Sequence, residues 1–99
     1  MPVAAPASVA GAELISHCNG IDCYVDVTTG SGTFCLAQYG PGDKWRQYGP
    51  SWTADTTIAG HQPGRIAIPS EPPFYYTIVR LSGTPDVGAA YMAGVHRGG

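Results

Sequence analysis

The densest run of metal-capable side chains is His17-Cys18 followed by Asp22-Cys23. A structural zinc site needs four ligands offered at short spacing from turns. Cys18 and Cys23 have four residues between them, and no second cysteine pair follows. The remaining cysteine is Cys35, and an odd total of three leaves at least one thiol outside any intramolecular disulfide. The cluster falls short of a zinc site. Cys23 reads as a small core residue and Cys18 as a loop residue. His17, His61 and His96 occur among serines and aspartates, the side chains of a hydrolytic triad, yet no nucleophile elbow frames any of them. No glycine-rich run opens a helix, so no phosphate loop is suggested. The expectation is a protein that is not an enzyme and that uses no cofactor and no metal.

The sharpest local feature is Trp45-Arg46-Gln47-Tyr48-Gly49-Pro50-Ser51-Trp52. Trp and Tyr beside Arg stack on sugar rings or anchor protein interfaces. Trp45, Arg46, Tyr48 and Trp52 are therefore candidate partner- or ligand-binding residues on one aromatic loop. The competing role for either Trp is to fill the core of a small sandwich. A second candidate contact is the N-terminal stretch 2–13, rich in Ala, Pro, Ser and Val and without a period. Its prolines oppose a helix, and it carries no charge before Glu13. It reads as an extended arm, with Pro2, Val3, Pro6 and Val9 as contacts to a neighbouring chain.

Strands must position these residues. Along 21–28, Ile21, Cys23, Val25 and Val27 alternate with Asp22, Tyr24, Asp26 and Thr28, the pattern of a half-buried strand. Thr29-Gly30-Ser31-Gly32 is a hairpin turn signal. A hairpin centred on Gly30-Ser31 pairs Val27 with Phe34 and Val25 with Leu36, so that the apolar faces coincide. It also sets Cys23 and Cys35 on opposite faces, which argues against a disulfide between them. Further β-prone runs occupy 44–48, 52–58, 65–68, 74–82 and 87–95, separated by Gly- and Pro-rich turns. Ile21, Val25, Val27, Phe34, Leu36, Ile78 and Val79 are the expected core. No apolar period of 3.6 residues survives beyond one turn. The expected fold is all-β: a small antiparallel β-sandwich or barrel of about 6–8 strands with an extended N-terminal arm. The arm spans 1–13 and a single domain spans 14–99.

Composition agrees. Ninety-nine residues hold one core, not two, and 14 Gly with 9 Pro supply the turns. Charged residues are 12% of the chain and the net charge is −2. The five basic residues are scattered between Lys44 and Arg97, so no basic patch invites nucleic acid. No run of ~18 apolar residues crosses a membrane. The N-terminus lacks the basic start and apolar block of a signal peptide, so synthesis in a reducing cytoplasm is expected.

Gly32-Thr33-Phe34-Cys35-Leu36-Ala37 leads into the Trp-centred segment. Phe74-Tyr75-Tyr76-Thr77-Ile78-Val79-Arg80-Leu81-Ser82-Gly83 leads into a last strand of small residues. This order of residue types over 20–95 resembles the small β-sandwich virion proteins of tailed bacteriophages, of the head decoration, head fibre and tail accessory type. The resemblance implies a capsid decoration or accessory protein, made in the host cytoplasm and located in the virion. Its partner would be the major capsid or tail protein of the same particle. It would also contact its own copies as a homo-oligomer, a trimer by preference, with the arm lying along the shell. The alternative is a secreted β-sandwich binding module or enzyme inhibitor that presents the Trp45–Trp52 loop to a protein or carbohydrate. Trp45-Arg46-Gln47-Tyr48 is similar to the Trp-Arg-Tyr loop of bacterial α-amylase inhibitors, a family with two disulfides from four cysteines.

Overall fold

The computed structural model describes residues 5, 7–15, 20–40, 42–57, 60–61, 66–67 and 74–95, and every regular element among them is a strand. In chain order these are β1 (Glu13–Ile15), β2 (Gly20–Thr29), β3 (Ser31–Gly40), β4 (Lys44–Gln47), β5 (Trp52–Asp55), β6 (Gly60–His61), β7 (Ile66–Ala67), β8 (Phe74–Gly83) and β9 (Asp86–Val95). They form two antiparallel sheets packed as a sandwich. In the first sheet the order is β1-β8-β3, with β4 and β5 sharing the far edge of β3. In the second, β2 lies between β9 and the short pieces β6 and β7. The expected antiparallel β-sandwich is the observed fold.

One pairing differs from expectation. The turn at Gly30 does not close a hairpin, and Val27 and Val25 do not pair with Phe34 and Leu36. β2 and β3 lie in different sheets. Val27 stands opposite Val87, and Leu36 opposite Ile78. The reason is that alternation fixes which side chains face the core but not which strand supplies the hydrogen bonds. Two strands facing each other across the core show the same alternation as two strands paired in one sheet.

The long-range partner decides the matter. β2 pairs with β9 and β3 with β8, and the numbering runs in step through both. Gly20 meets Val95, Thr29 meets Asp86, Gly32 meets Gly83 and Tyr39 meets Tyr75. The chain from 20 to 40 and the chain from 74 to 95 thus make one long antiparallel ribbon. It is folded over on itself near residues 30 and 84. Register shifts at Asp26/Val27, Val27/Thr29 and Thr33/Phe34 flank the fold, as expected where strands switch sheets through bulges.

Two glycines permit the corner. Gly30 has φ 77° and Gly83 has φ 83°, conformations that side-chain-bearing residues rarely adopt. A Cβ on Gly83 would also collide with the carbonyl oxygen of Ser31. Across the corner the Thr29 hydroxyl donates to Asp86 Oδ2 at 2.6 Å, and the Thr28 hydroxyl to the Asp86 carbonyl at 3.2 Å.

The core forms between the halves of the ribbon. β2 contributes Ile21, Cys23, Val25 and Val27, and β3 contributes Phe34 and Leu36. Trp52, Tyr76, Ile78 and Met92 complete its larger members. Of the expected core only Val79 lies elsewhere. It is half-buried beside Cys35, on the other face of the first sheet.

The described part of the N-terminal stretch is tied to this same domain. The Val9 amide donates to the Ile78 carbonyl at 2.8 Å, and the Arg80 amide to the Ala7 carbonyl at 2.9 Å. The Thr77 hydroxyl donates to the Ala10 carbonyl at 2.7 Å. β1 then continues along β8, so the expected boundary at 13–14 falls inside a strand.

Gly83→Ala should destabilise the protein by about 2–4 kcal/mol, combining the left-handed backbone cost with overpacking against Ser31. A urea titration of the two proteins at one pH reads this directly.

Candidate functional site

Because Phe34, Leu36 and Gln38 point inward, Cys35, Ala37 and Tyr39 point to the outer face of the first sheet. Directly opposed residues share a face. The register sets Leu14 of β1 against Tyr75 of β8, Tyr75 against Tyr39 of β3, and Tyr39 against Trp45 of β4. Four large side chains therefore form a row across four of the five strands. Leu14 is 56% exposed, and Tyr75, Tyr39 and Trp45 are half-buried. Tyr39 and Trp45 meet edge to face at 5.2 Å. Beside Trp45 lies a groove of about 290 Å³. It is lined by the buried Cys35 and Ala37, by Val79, and by Arg46 and Arg80; Ala5 and Ala7 of the N-terminal segment also border it.

The expected aromatic loop is divided by this geometry. β4 and β5 both run along β3, but Trp45 stands opposite Tyr39 while Trp52 stands opposite Phe34. These β3 residues point to opposite faces, so the two tryptophans do as well. Trp52 is 7% exposed and packs on Phe34 with ring centres 6.4 Å apart. Its Nε1–H meets no acceptor among the described residues. Trp52 is thus a core residue rather than a presented one.

Tyr48 also turns inward. Its ring meets Tyr76 edge-on at 6.0 Å, and its amide donates to the Leu36 carbonyl at 2.8 Å. Tyr76 in turn accepts a 2.9 Å bond from Gln38 Nε2. Only Trp45 and the exposed Arg46 remain on the outer face or at the groove.

Of the arm contacts, Val9 packs against the chain's own core. Pro2, Val3 and Pro6 lie outside the described residues, as do His17, Cys18 and His96. His61 is described only as a backbone position in β6, opposite Tyr24. Leu14, Tyr39 and Tyr75 escaped the sequence reading. The available signal was parity: each occupies the alternate position of a strand whose other residues fill the core.

Cys23 and Cys35 are both buried and both free. Burial pushes the Cys23 thiol up to about 12, helped by the nearby Asp22 charge and by Cys35. Cys35 is raised as well, by burial alone. Both are protonated at neutral pH, and a thiol rather than a thiolate is a poor nucleophile and a poor metal ligand. Burial raises Tyr48 too. Among the described residues, no three His, Cys, Asp or Glu side chains converge as a metal group. What the face offers chemically is adhesion: apolar area and aromatic edges.

No family model, no curated protein and no solved structure matches this chain.

The Cys23 shift carries a pH dependence of stability. The folded state holds the thiol proton up to about 12, whereas the unfolded chain releases it near 9.0. Above 9.0 the unfolded state therefore binds fewer protons, and stability falls as pH rises toward 12. Urea midpoints measured under reducing conditions between these limits should decline. The decline should be shallower in Cys23→Ala.

Proposed function

We propose that this protein is a non-enzymatic accessory component of a phage virion that docks through the outer face of its first sheet. The observation that carries the reading is the row Leu14–Tyr75–Tyr39–Trp45. A soluble domain rarely leaves aromatic and aliphatic side chains aligned on a sheet face unless something covers them. Tyr and Trp are the side chains that anchor interfaces. The virion assignment itself draws on the resemblance of residue pattern over 20–95. Double-sheet antiparallel domains serve both as capsid parts and as lectins, so the fold by itself selects neither.

The alternative, a module presenting the 45–52 loop to a protein or sugar, loses Tyr48 and Trp52 to the core. What remains for it is Trp45 on a flat face.

The decisive experiment uses the intact protein and purified particles of the phage that encodes it. The chain should be found in the particle by mass spectrometry. Re-addition to particles stripped of it should restore occupancy. The Leu14→Ser/Trp45→Ala variant should bind at least about 10-fold more weakly, as expected for loss of anchor residues. A particle that lacks the chain, or full occupancy by the double variant, would sink the proposal. Glycan-array binding lost in Trp45→Ala would favour the alternative.

A further inference from the structure

Charge is divided between the two sheets. Every described Lys and Arg lies on the first: Lys44 and Arg46 on β4, and Arg80 on β8. The described strands of the second sheet carry Asp22, Asp26 and Asp86, and no Lys or Arg.

On β2 the residues Ile21, Cys23, Val25 and Val27 fill the core, so Asp22, Tyr24 and Asp26 point to the outer face of the second sheet. The register sets Ala93 opposite Asp22, Tyr91 opposite Tyr24 and Ala89 opposite Asp26. Tyr24 and Tyr91 stack with ring centres 4.7 Å apart and planes 19° apart. One face of the Tyr91 ring is thereby covered, yet Tyr91 is still 53% exposed. Its neighbours along β9 on this face are Ala89 and Ala93, whose methyl groups are too short to cover the other side of the ring.

Asp26 stands in equally open surroundings. It is exposed, and the register shift between Asp26 and Val27 sets Gly88 as well as Ala89 beside it. A Cβ on Gly88 would lie 2.9 Å from the Thr28 methyl, so the bulge leaves no room for a side chain there. Bulges of this kind re-aim side chains at binding surfaces. Nothing longer than a methyl group rises from β9 next to the carboxylate. Tyr91 is the diagonal neighbour of Asp26 across the strand pair, about 7–8 Å away by sheet geometry.

We propose that Tyr91 and Asp26 form a recognition site for an arginine side chain on the surface of a partner protein. The site lies on the sheet opposite the Leu14–Trp45 row and holds whether or not the chain belongs to a virion.

Two features select this occupant. The negative field of the second sheet selects a cation and repels an anion. The ring pair selects a flat cation. A guanidinium lies on an aromatic face and still turns an N–H edge to a carboxylate, whereas a lysine ammonium is compact and strongly hydrated. A sugar would stack on the same ring but would draw nothing from the charge of Asp26.

The test is an NMR titration of the isotope-labelled intact protein with the peptide acetyl-Gly-Arg-Gly-amide at low salt. Saturable shifts should appear at Asp26, Ala89 and Tyr91 and not along the Leu14–Trp45 row. The matching citrulline peptide keeps the shape without the charge and should bind at least about 10-fold more weakly. The lysine peptide should fall between the two. Asp26→Asn and Tyr91→Ser should each reduce binding of the arginine peptide several-fold. Should Tyr91→Ser perturb the whole spectrum, the citrulline peptide and the exposed Asp26→Asn carry the test. The proposal fails if the arginine peptide gives no saturable shifts or shifts only the first sheet. It fails equally if citrulline binds as well as arginine, or if Asp26→Asn binds as well as the wild type. Methyl glucoside shifting Tyr91 where the arginine peptide does not would make the ring a sugar platform instead.

Discussion

The structure depends on a corner. A ribbon of two long strands can fold back on itself only where the backbone tolerates it, and here Gly30 serves one strand of the ribbon and Gly83 the other. Both lie in the left-handed region, and the second has its neighbour's carbonyl where a side chain would begin. Once the corner is made, the rest is constrained. β2 and β3 must leave for different sheets, as must β8 and β9, and the apolar faces of all four turn toward the same interior. The threonines of one turn bind the aspartate of the other, so the two halves of the ribbon bend at matching residues.

Much of this was legible in the sequence. Alternation identified β2, and the inward set from Ile21 to Leu36 emerged correctly because a period of two records burial directly. The strand ends were readable from Gly and Pro. What alternation does not encode is the identity of the hydrogen-bonding partner, which explains why Thr29-Gly30-Ser31-Gly32 resembled a hairpin. The two tryptophans show the same limit from another side. They sit seven positions apart on separate strands, and only their β3 partners, Tyr39 and Phe34, determine that one faces out and the other in. The outward row was hidden because its members come from four strands that are remote in sequence.

The sandwich consequently presents two surfaces with different chemistry. The outer face of the first sheet offers side chains: the hydrophobic row of Leu14, Tyr75, Tyr39 and Trp45. The outer edge of β9, which no described strand covers, offers backbone flanked by small neutral side chains. A domain of 99 residues has few ways to gain stability beyond one core. Neither thiol contributes a cross-link, since Cys23 faces the core and Cys35 the outer face.

The folded ribbon also sets the order of events during synthesis. β2 is made well before its principal partner β9, the last of the described strands. Between them lie β3 and β8, which pair with each other in the first sheet, and the short β6 and β7, which border β2 on its other side. The central strand of the second sheet thus waits, half-dressed, until β9 has emerged. Contacts of such wide sequence separation close slowly, because the chain between them must be confined before any contact rewards it. This small domain therefore gains little from folding piece by piece as it is translated, and its first stable state is close to its complete one.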